Sequence, residues 1–259
     1  MSERGAIRGP IWAAVVAMIA TSGSIAQAPD SDPQAMAIAD AAVATMGGRQ
    51  AWDETRYLSW NFFGHRAHLW DKKTGDVRIE AKTRAGDQVL VLMNLGTKDG
   101  RAWKNGQEVA AAEERSKLLQ AGYAWWVNDA YWIFMPYKLR DPGVRVRSKG
   151  EVAMQDGRPA DCLELTFDKV GMTPQNRYLV YVAKDSKLIE QWDYFENASQ
   201  EKPDFQIPWH GWKKYGRIML SGDRGKGGAL TDIAVHDTVP PGAFTSPAPV
   251  EMGKGAPGR

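Results

Sequence analysis

The sequence predicts a mainly β protein of the α+β class. A curved antiparallel sheet of about ten strands, an unclosed β-barrel, packs on an N-terminal helix and a mid-chain helical insertion. Three observations carry this expectation. From Tyr57 onward the apolar residues recur mostly with a period of two, as side chains alternate across a strand. The runs are separated by short turn signals such as Asp99-Gly100, Asn105-Gly106 and Asp156-Gly157, which accept the positive φ of hairpin turns. Helical spacing is confined to two stretches, 33–46 and 110–134.

At the N-terminus, Arg4 and Arg8 precede the apolar run Ile11 to Ala20 (IWAAVVAMIA), and Ala26-Gln27-Ala28 supplies small residues for cleavage. That order is the order of a secretory signal peptide, here residues 1–28, cut after Ala26 or Ala28. Crossing a membrane takes about 20 apolar residues, so the run is too short for an anchor. There is no cysteine near the site to carry a lipid. The expectation is export to the periplasm as neither lipoprotein nor transmembrane protein. A single domain is expected over 29–239.

Asp32-Pro33 starts a helix, since Asp caps free N–H groups and Pro fits the first turn. Met36, Ala39, Val43 and Met46 keep the helical period until Gly47-Gly48 stops it. Leu58, Trp60 and Phe62 alternate with polar neighbours, as do Val77, Ile79 and Ala81. The run Gln88 to Leu95 (QVLVLMNL) is apolar on both faces and therefore needs cover on both sides. Turns are expected at 98–101 and 104–107. After the helical insertion, strands resume at 144–147, 162–167, 177–183, 188–195, 215–220 and 229–235. The tail 240–259, rich in Pro and Gly, is expected to be extended or disordered.

Composition excludes several functions. Net charge is +2 for the whole chain and +1 once residues 1–26 are removed with Arg4, Arg8 and Glu3, too little to hold nucleic acid. Cys162 is the single cysteine, which forbids an internal disulfide, and its apolar neighbours suggest buried packing. His65 and His68 are three apart on an apparent strand and so point to opposite faces, a poor arrangement for a shared metal. No metal and no cofactor is expected. Gly222 to Gly228 resembles a phosphate loop only superficially: Lys226 is followed by Gly where Ser or Thr is needed, so the stretch reads as a flexible surface loop. Glu190, Asp193 and Glu196 have acid–base chemistry available, but no nucleophile motif accompanies them.

Ten tryptophans lie beyond the leader, and the segment Tyr123 to Met135 is denser in aromatics than one helix stripe requires. Two readings stand side by side. One is an aromatic core. The other is the wall of an apolar binding cavity, with Leu90, Leu92, Trp125, Trp126, Trp132, Phe134 and Met135 as ligand-contacting residues, the indoles offering flat apolar surface and Met135 an adaptable contact. Lys138, Arg140, Arg145, Arg147 and Lys149 follow this segment, as a solvated strand face or as an anionic-membrane contact beside the cavity mouth.

Several stretches carry a family resemblance: NLGTKDGRAWKNGQEV (94–109), EVAMQDGRPADCLELTF (151–167) and YLVYVAKDSKLIEQWDYF (178–195). With the leader, the short first helix and the paired strands, they resemble the periplasmic outer-membrane lipoprotein-sorting proteins of the LolA/LolB-like fold, over roughly 33–245. The resemblance implies an unclosed barrel wrapped around helices, with an apolar cavity for acyl chains. The leading expectation is thus an exported, non-enzymatic protein that binds a lipid or lipoprotein acyl chain. An envelope interaction module without a ligand, and a hydrolase using an Asp/His pair, are the alternatives.

Overall fold

The computed structural model describes residues 31–251. The leader assigned to 1–28 and the last eight residues, 252–259, lie outside the described residues. Helix α1 (Pro33–Thr45) starts as its sequence dictates: Asp32 Oδ1 accepts the Gln34 backbone N–H at 2.9 Å. It ends at Gly47, whose φ of 109° is left-handed and whose position would put a Cβ 2.3 Å from the Arg217 carbonyl oxygen. Only glycine fits there. The chain re-enters a helix at once, α2 (Gly48–Glu54), because a glycine that stops one helix does nothing to prevent the next.

Every strand pairing is antiparallel. Strands β1 (Tyr57–Phe62), β2 (Arg66–Asp71), β3 (Asp76–Lys82), β4 (Gln88–Asn94), β5 (Gly100–Lys104) and β6 (Gln107–Glu108) form a meander. It is extended past β1 by the last strand, β14 (Leu230–His236), to give seven strands. Helix α3 (Ala112–Phe134) and a 3-10 turn (Met135–Lys138) follow the meander. A five-stranded sheet is then laid down by β7 (Val144–Ala153), β8 (Pro159–Phe167), β9 (Arg177–Ala183), β10 (Ile189–Phe195) and β11 (Phe205–Pro208). A separate hairpin, β12 (His210–Tyr215) with β13 (Ile218–Asp223), completes the described chain's strands. The sheets curve without closing into a barrel.

The described residues hold fourteen strands where about ten were expected. The unanticipated ones include β6, two exposed residues, and β11, four residues at a sheet edge. Short edge strands bury little and so carry little apolar alternation. The turn at Asn105-Gly106 has positive φ at both residues, as its sequence requires. The turn expected at 98–101 falls instead at Leu95 to Lys98. Gly100 lies inside β5, where a Cβ would sit 2.2 Å from the Leu92 carbonyl oxygen.

Helix α3 is about 34 Å long at 1.5 Å per residue, and it is wedged between the layers. Its Leu118, Leu119, Tyr123, Trp125 and Trp126 pack on Val77, Ile79, Val89, Val91, Met93 and Ala102 of the seven-stranded sheet. Farther along, Ala130, Ile133 and Phe134 join Leu58, Trp60, Ile218 and Leu220. Tyr131 and Trp132 turn to the five-stranded sheet and its Trp192. One helix therefore serves three apolar surfaces, which accounts for most of its aromatic density.

The described part of the tail lies on the fold. Residues 240–251 are placed against the seven-stranded sheet, on the face opposite α3: Arg78 Nη1 donates to the Ser246 carbonyl at 2.9 Å, and Ala243 is buried. The stretch 222–228 is not a free surface loop either. Arg224 within it is fully buried, donates to the Trp132 carbonyl at 2.6 Å and lies over the Trp209 ring at 3.8 Å.

Candidate functional site

The face of α3 carrying Ala124, Val127, Asn128 and Tyr131 repeats at i, i+3, i+4, i+7; Tyr131 at its end reaches Trp192 of the five-stranded sheet, while Ala124, Val127 and Asn128 lie outside the packed clusters of both sheets. It borders a cavity of about 260 Å3 closed on the other side by Phe167 at the end of β8, the β8–β9 connection (Val170 to Asn176), and Tyr178. The rings converge: Tyr131 is 5.3 Å from Tyr178 and 6.3 Å from Phe167, and Phe167 meets Tyr178 edge-on at 5.8 Å. Burial pushes the hydroxyl of Tyr131 well above the usual phenol range, and that of Tyr178 likewise. Both stay neutral donors at any physiological pH. Met172, on the connection, is 45% exposed and is the exposed large apolar side chain of the described residues. Polar groups are few. Asn176 is fixed by bonds from its Nδ2 to Glu196 O at 2.7 Å and to Tyr194 Oη at 3.1 Å, and Asn128 Nδ2 is fixed by Asp129. Apolar walls with a few oriented polar groups are what a small-molecule cavity needs.

Directly beneath Asn128 lies a buried ionic cluster. Asp129 is fully buried; its carboxylate accepts two bonds from Arg66 at 2.6 and 2.7 Å and one from His68 Nε2 at 2.7 Å. Burial pushes the Asp129 carboxyl up, but the hydrogen bonds from Arg66 and His68 outweigh it and hold the group below the ordinary carboxylate range. Burial dominates at His68 and lowers its pKa against the pull of Asp129, so the ring is neutral at pH 7 with its proton on Nε2. His68 stacks on Trp60 at 4.6 Å, and its Nδ1 has no hydrogen-bond partner. No nucleophile is attached to this pair; it bolts α3 to β2.

A second histidine pair lies on the opposite face of the sheet. Ser59 Oγ is 2.9 Å from His236 Nε2, in a groove of about 460 Å3 that also includes Asn61, Arg78, Glu80 and Asp232. Among the described residues no carboxylate bonds the other His236 nitrogen, so the orienting third group of an activated serine is not found there. His65, in the turn before β2, is exposed and far in role from buried His68. Asp193 is buried under bonds from Tyr181, Gln191 and Gln206. Cys162 is buried and its thiol is pushed up to about 12 by desolvation, which makes it inert packing.

The residues singled out from sequence do not form one site. Trp132 borders the cavity. Trp125 and Trp126 pack on the inner face of the seven-stranded sheet, Phe134 in the core around Trp60, and Met135 under the five-stranded sheet. Leu90 and Leu92 alternate with Val89, Val91 and Met93 in β4 and point to the opposite face, toward the tail. Sequence reasoning missed Val127, Tyr131, Phe167, Met172 and Tyr178. The i, i+3, i+4, i+7 spacing within 124–131 was the signal that would have found the first two. In the basic run, Lys138 pairs with Asp141, Arg140 with Asp40, Arg145 with Asp168 and Lys149 with Glu164. Four of the five charges are therefore locally balanced.

No family model matches the sequence, and no curated protein matches it. Among solved structures, the chain is similar to a DUF1329 family protein from Desulfovibrio piger, at 18% identity and a TM-score of 0.42 over 83% of this chain and 98% of that one. It is also similar to MucB, at 15% identity and a TM-score of 0.29 over 82% and 70% of the two chains. The MucA/MucB complex of Pseudomonas aeruginosa matches at 14% identity and 0.25, over 80% and 68%. Overlaps at these scores transfer neither fold nor function. Among the described residues no helix is long and apolar enough to cross a membrane.

Proposed function

We propose that this chain is an exported, non-enzymatic periplasmic binding protein whose ligand is an apolar chain, such as a lipid acyl group, held between α3 and the β8–β9 connection. The carrying observation is the cavity of about 260 Å3 whose lining is mostly aromatic and aliphatic and whose rim presents Met172 to solvent. The polar chemistry nearby supports binding over turnover: His68 and Asp129 are committed to each other and to Arg66.

Size sets the expected affinity. At about 30 Å3 per small group, the space takes eight or nine methylenes. Their burial contributes about 7 kcal/mol gross at about 0.8 kcal/mol each. Immobilising the ligand costs several kcal/mol of this. About 3–4 kcal/mol remains, which corresponds to a dissociation constant in the low millimolar range.

A medium-chain fatty acid should therefore displace a hydrophobic dye saturably from the folded protein. Val127→Phe fills the cavity with apolar volume and should abolish displacement while circular dichroism stays unchanged. Met172→Glu, at an exposed rim, should weaken binding about tenfold. If folded wild-type protein binds neither dye nor fatty acid up to about ten millimolar, the reading is wrong.

A further inference from the structure

The face of the seven-stranded sheet turned away from α3 is organised around two arginines. Leu69, Arg78, Leu92 and Arg101 stand side by side across β2, β3, β4 and β5, and Glu80, Leu90 and Trp103 form the next row. Arg78 is only 4% exposed. Glu80 fixes it at 2.6 Å, and Nη1 donates to the main-chain carbonyls of Ser246 at 2.9 Å and Ala243 at 3.5 Å. Glu108 fixes Arg101, which donates to the Thr245 carbonyl at 3.4 Å. The chain's own tail is thus held as a peptide is held, by its backbone oxygens, over a strip of leucine and tryptophan.

The tail does not fill the face. Ala243 is buried, but Thr245, Pro247, Ala248 and Pro249 are exposed. Open grooves of about 460 Å3 beside Val250 and about 500 Å3 beside Ser246 to Pro249 share Arg78 and Glu80. Residues 241–245 form a turn: the Ala243 amide donates to the Pro240 carbonyl and the Thr245 and Ser246 amides to the Gly242 carbonyl, which satisfies these donors internally and leaves the Ala243, Thr245 and Ser246 carbonyls to the arginines. That chemistry matches a surface whose fixed groups are guanidinium donors and flat apolar side chains.

We infer that this outer face is a binding groove for a turn-forming, proline-flanked peptide of another protein, which the chain's own residues 240–251 occupy in cis. A tethered segment competes at an effective concentration in the millimolar range, so a free peptide of about ten-micromolar intrinsic affinity is weakened about 100-fold by it.

The test uses the full chain and a fluorescent synthetic peptide of sequence 240–251, read by anisotropy. Ala243→Arg cannot keep the tail seated and leaves the groove intact. This variant should bind the peptide about 100-fold more tightly than wild type, with an unchanged circular dichroism spectrum. Adding Arg101→Ala, an exposed position, should cost several-fold of that gain, and adding Arg78→Gln should remove it. In wild type, millimolar peptide should speed hydrogen exchange at the amides of Ala243, Thr245 and Ser246 as the tail is displaced. That measurement decides the matter if Ala243→Arg does not fold. A folded Ala243→Arg chain that binds no better than wild type, or tail amides unmoved by millimolar peptide, overturns the inference. Fatty-acid binding behind α3 is unaffected by either result.

Discussion

On its inner face the seven-stranded sheet meets α3 through Val77, Ile79, Val91 and Met93 against Leu118, Leu119 and Trp126, a continuous packed layer. On its outer face the same strands present Arg78, Leu92 and Arg101 to a tail held mainly by arginine-to-carbonyl bonds. Strand β4 is apolar on both sides because both sides are covered, yet the two covers are built differently. The inner cover fills volume and contains buried charge that must remain paired. The outer cover fully buries one small side chain, Ala243, half-buries Phe244, and leaves half of residues 240–251 exposed. Stability should therefore depend on the inner layer and binding competition on the outer one.

The largest effect tests that division at the ionic cluster. Asp129→Ala leaves Arg66 and His68 without their shared partner beneath α3. Breaking a buried pair in this way costs about 3–5 kcal/mol, and chemical denaturation should register that loss. A loss under 1 kcal/mol would mean that α3 is held by apolar packing alone. Arg224→Ala comes next. It removes the donors that serve the Trp132 and Ser221 carbonyls and should cost about 2–3 kcal/mol. Gly122→Val should cost about 1–3 kcal/mol by overpacking, since even a Cβ at Gly122 lies 2.9 Å from Val91 Cγ1.

A smaller effect is read by pH. The folded chain holds His68 and His236 below the ordinary histidine value, chiefly by burial. The unfolded chain then binds more protons just below pH 6.5, so the stability these rings contribute is complete above pH 6.5 and declines as pH falls toward their folded values. His236→Asn should remove only the outer-face share of this slope. Asp129, whose folded pKa is depressed, adds a further loss below about pH 4. The outer cover is bounded by its own competition: unseating the tail with Ala243→Arg should cost about 2–3 kcal/mol, the equivalent of the 100-fold masking. A cost above about 4 kcal/mol there would make the tail part of the core and erase the contrast.

Much of this architecture was legible in the sequence, for local reasons. Asp32-Pro33 starts a helix because capping acts within one turn, and Asn105-Gly106 makes a hairpin because both residues accept positive φ. The alternation of Val77, Ile79 and Ala81 gives β3 its buried face. The site was harder to read, because it depends on which surface each side chain meets. Trp125, Trp126, Trp132, Phe134 and Met135 are adjacent in sequence, but a helix turning 100° per residue distributes them over three cores. Leu90 and Leu92 read as cavity lining because they are apolar, and nothing local foretold that a tail 150 residues away would lie over them. Arg224 was hidden for the same reason, since its partner carbonyl belongs to Trp132 in another element.

The account rests on the cavity behind Val127 as the place where an apolar chain binds, and a crystal grown with a bromine-labelled medium-chain fatty acid tests this most directly. The bromine's anomalous signal should lie between Val127, Tyr131, Phe167 and Tyr178 and vanish in Val127→Phe. Signal confined to the outer grooves beside Arg78, or no ordered bromine at saturating fatty acid, would contradict it.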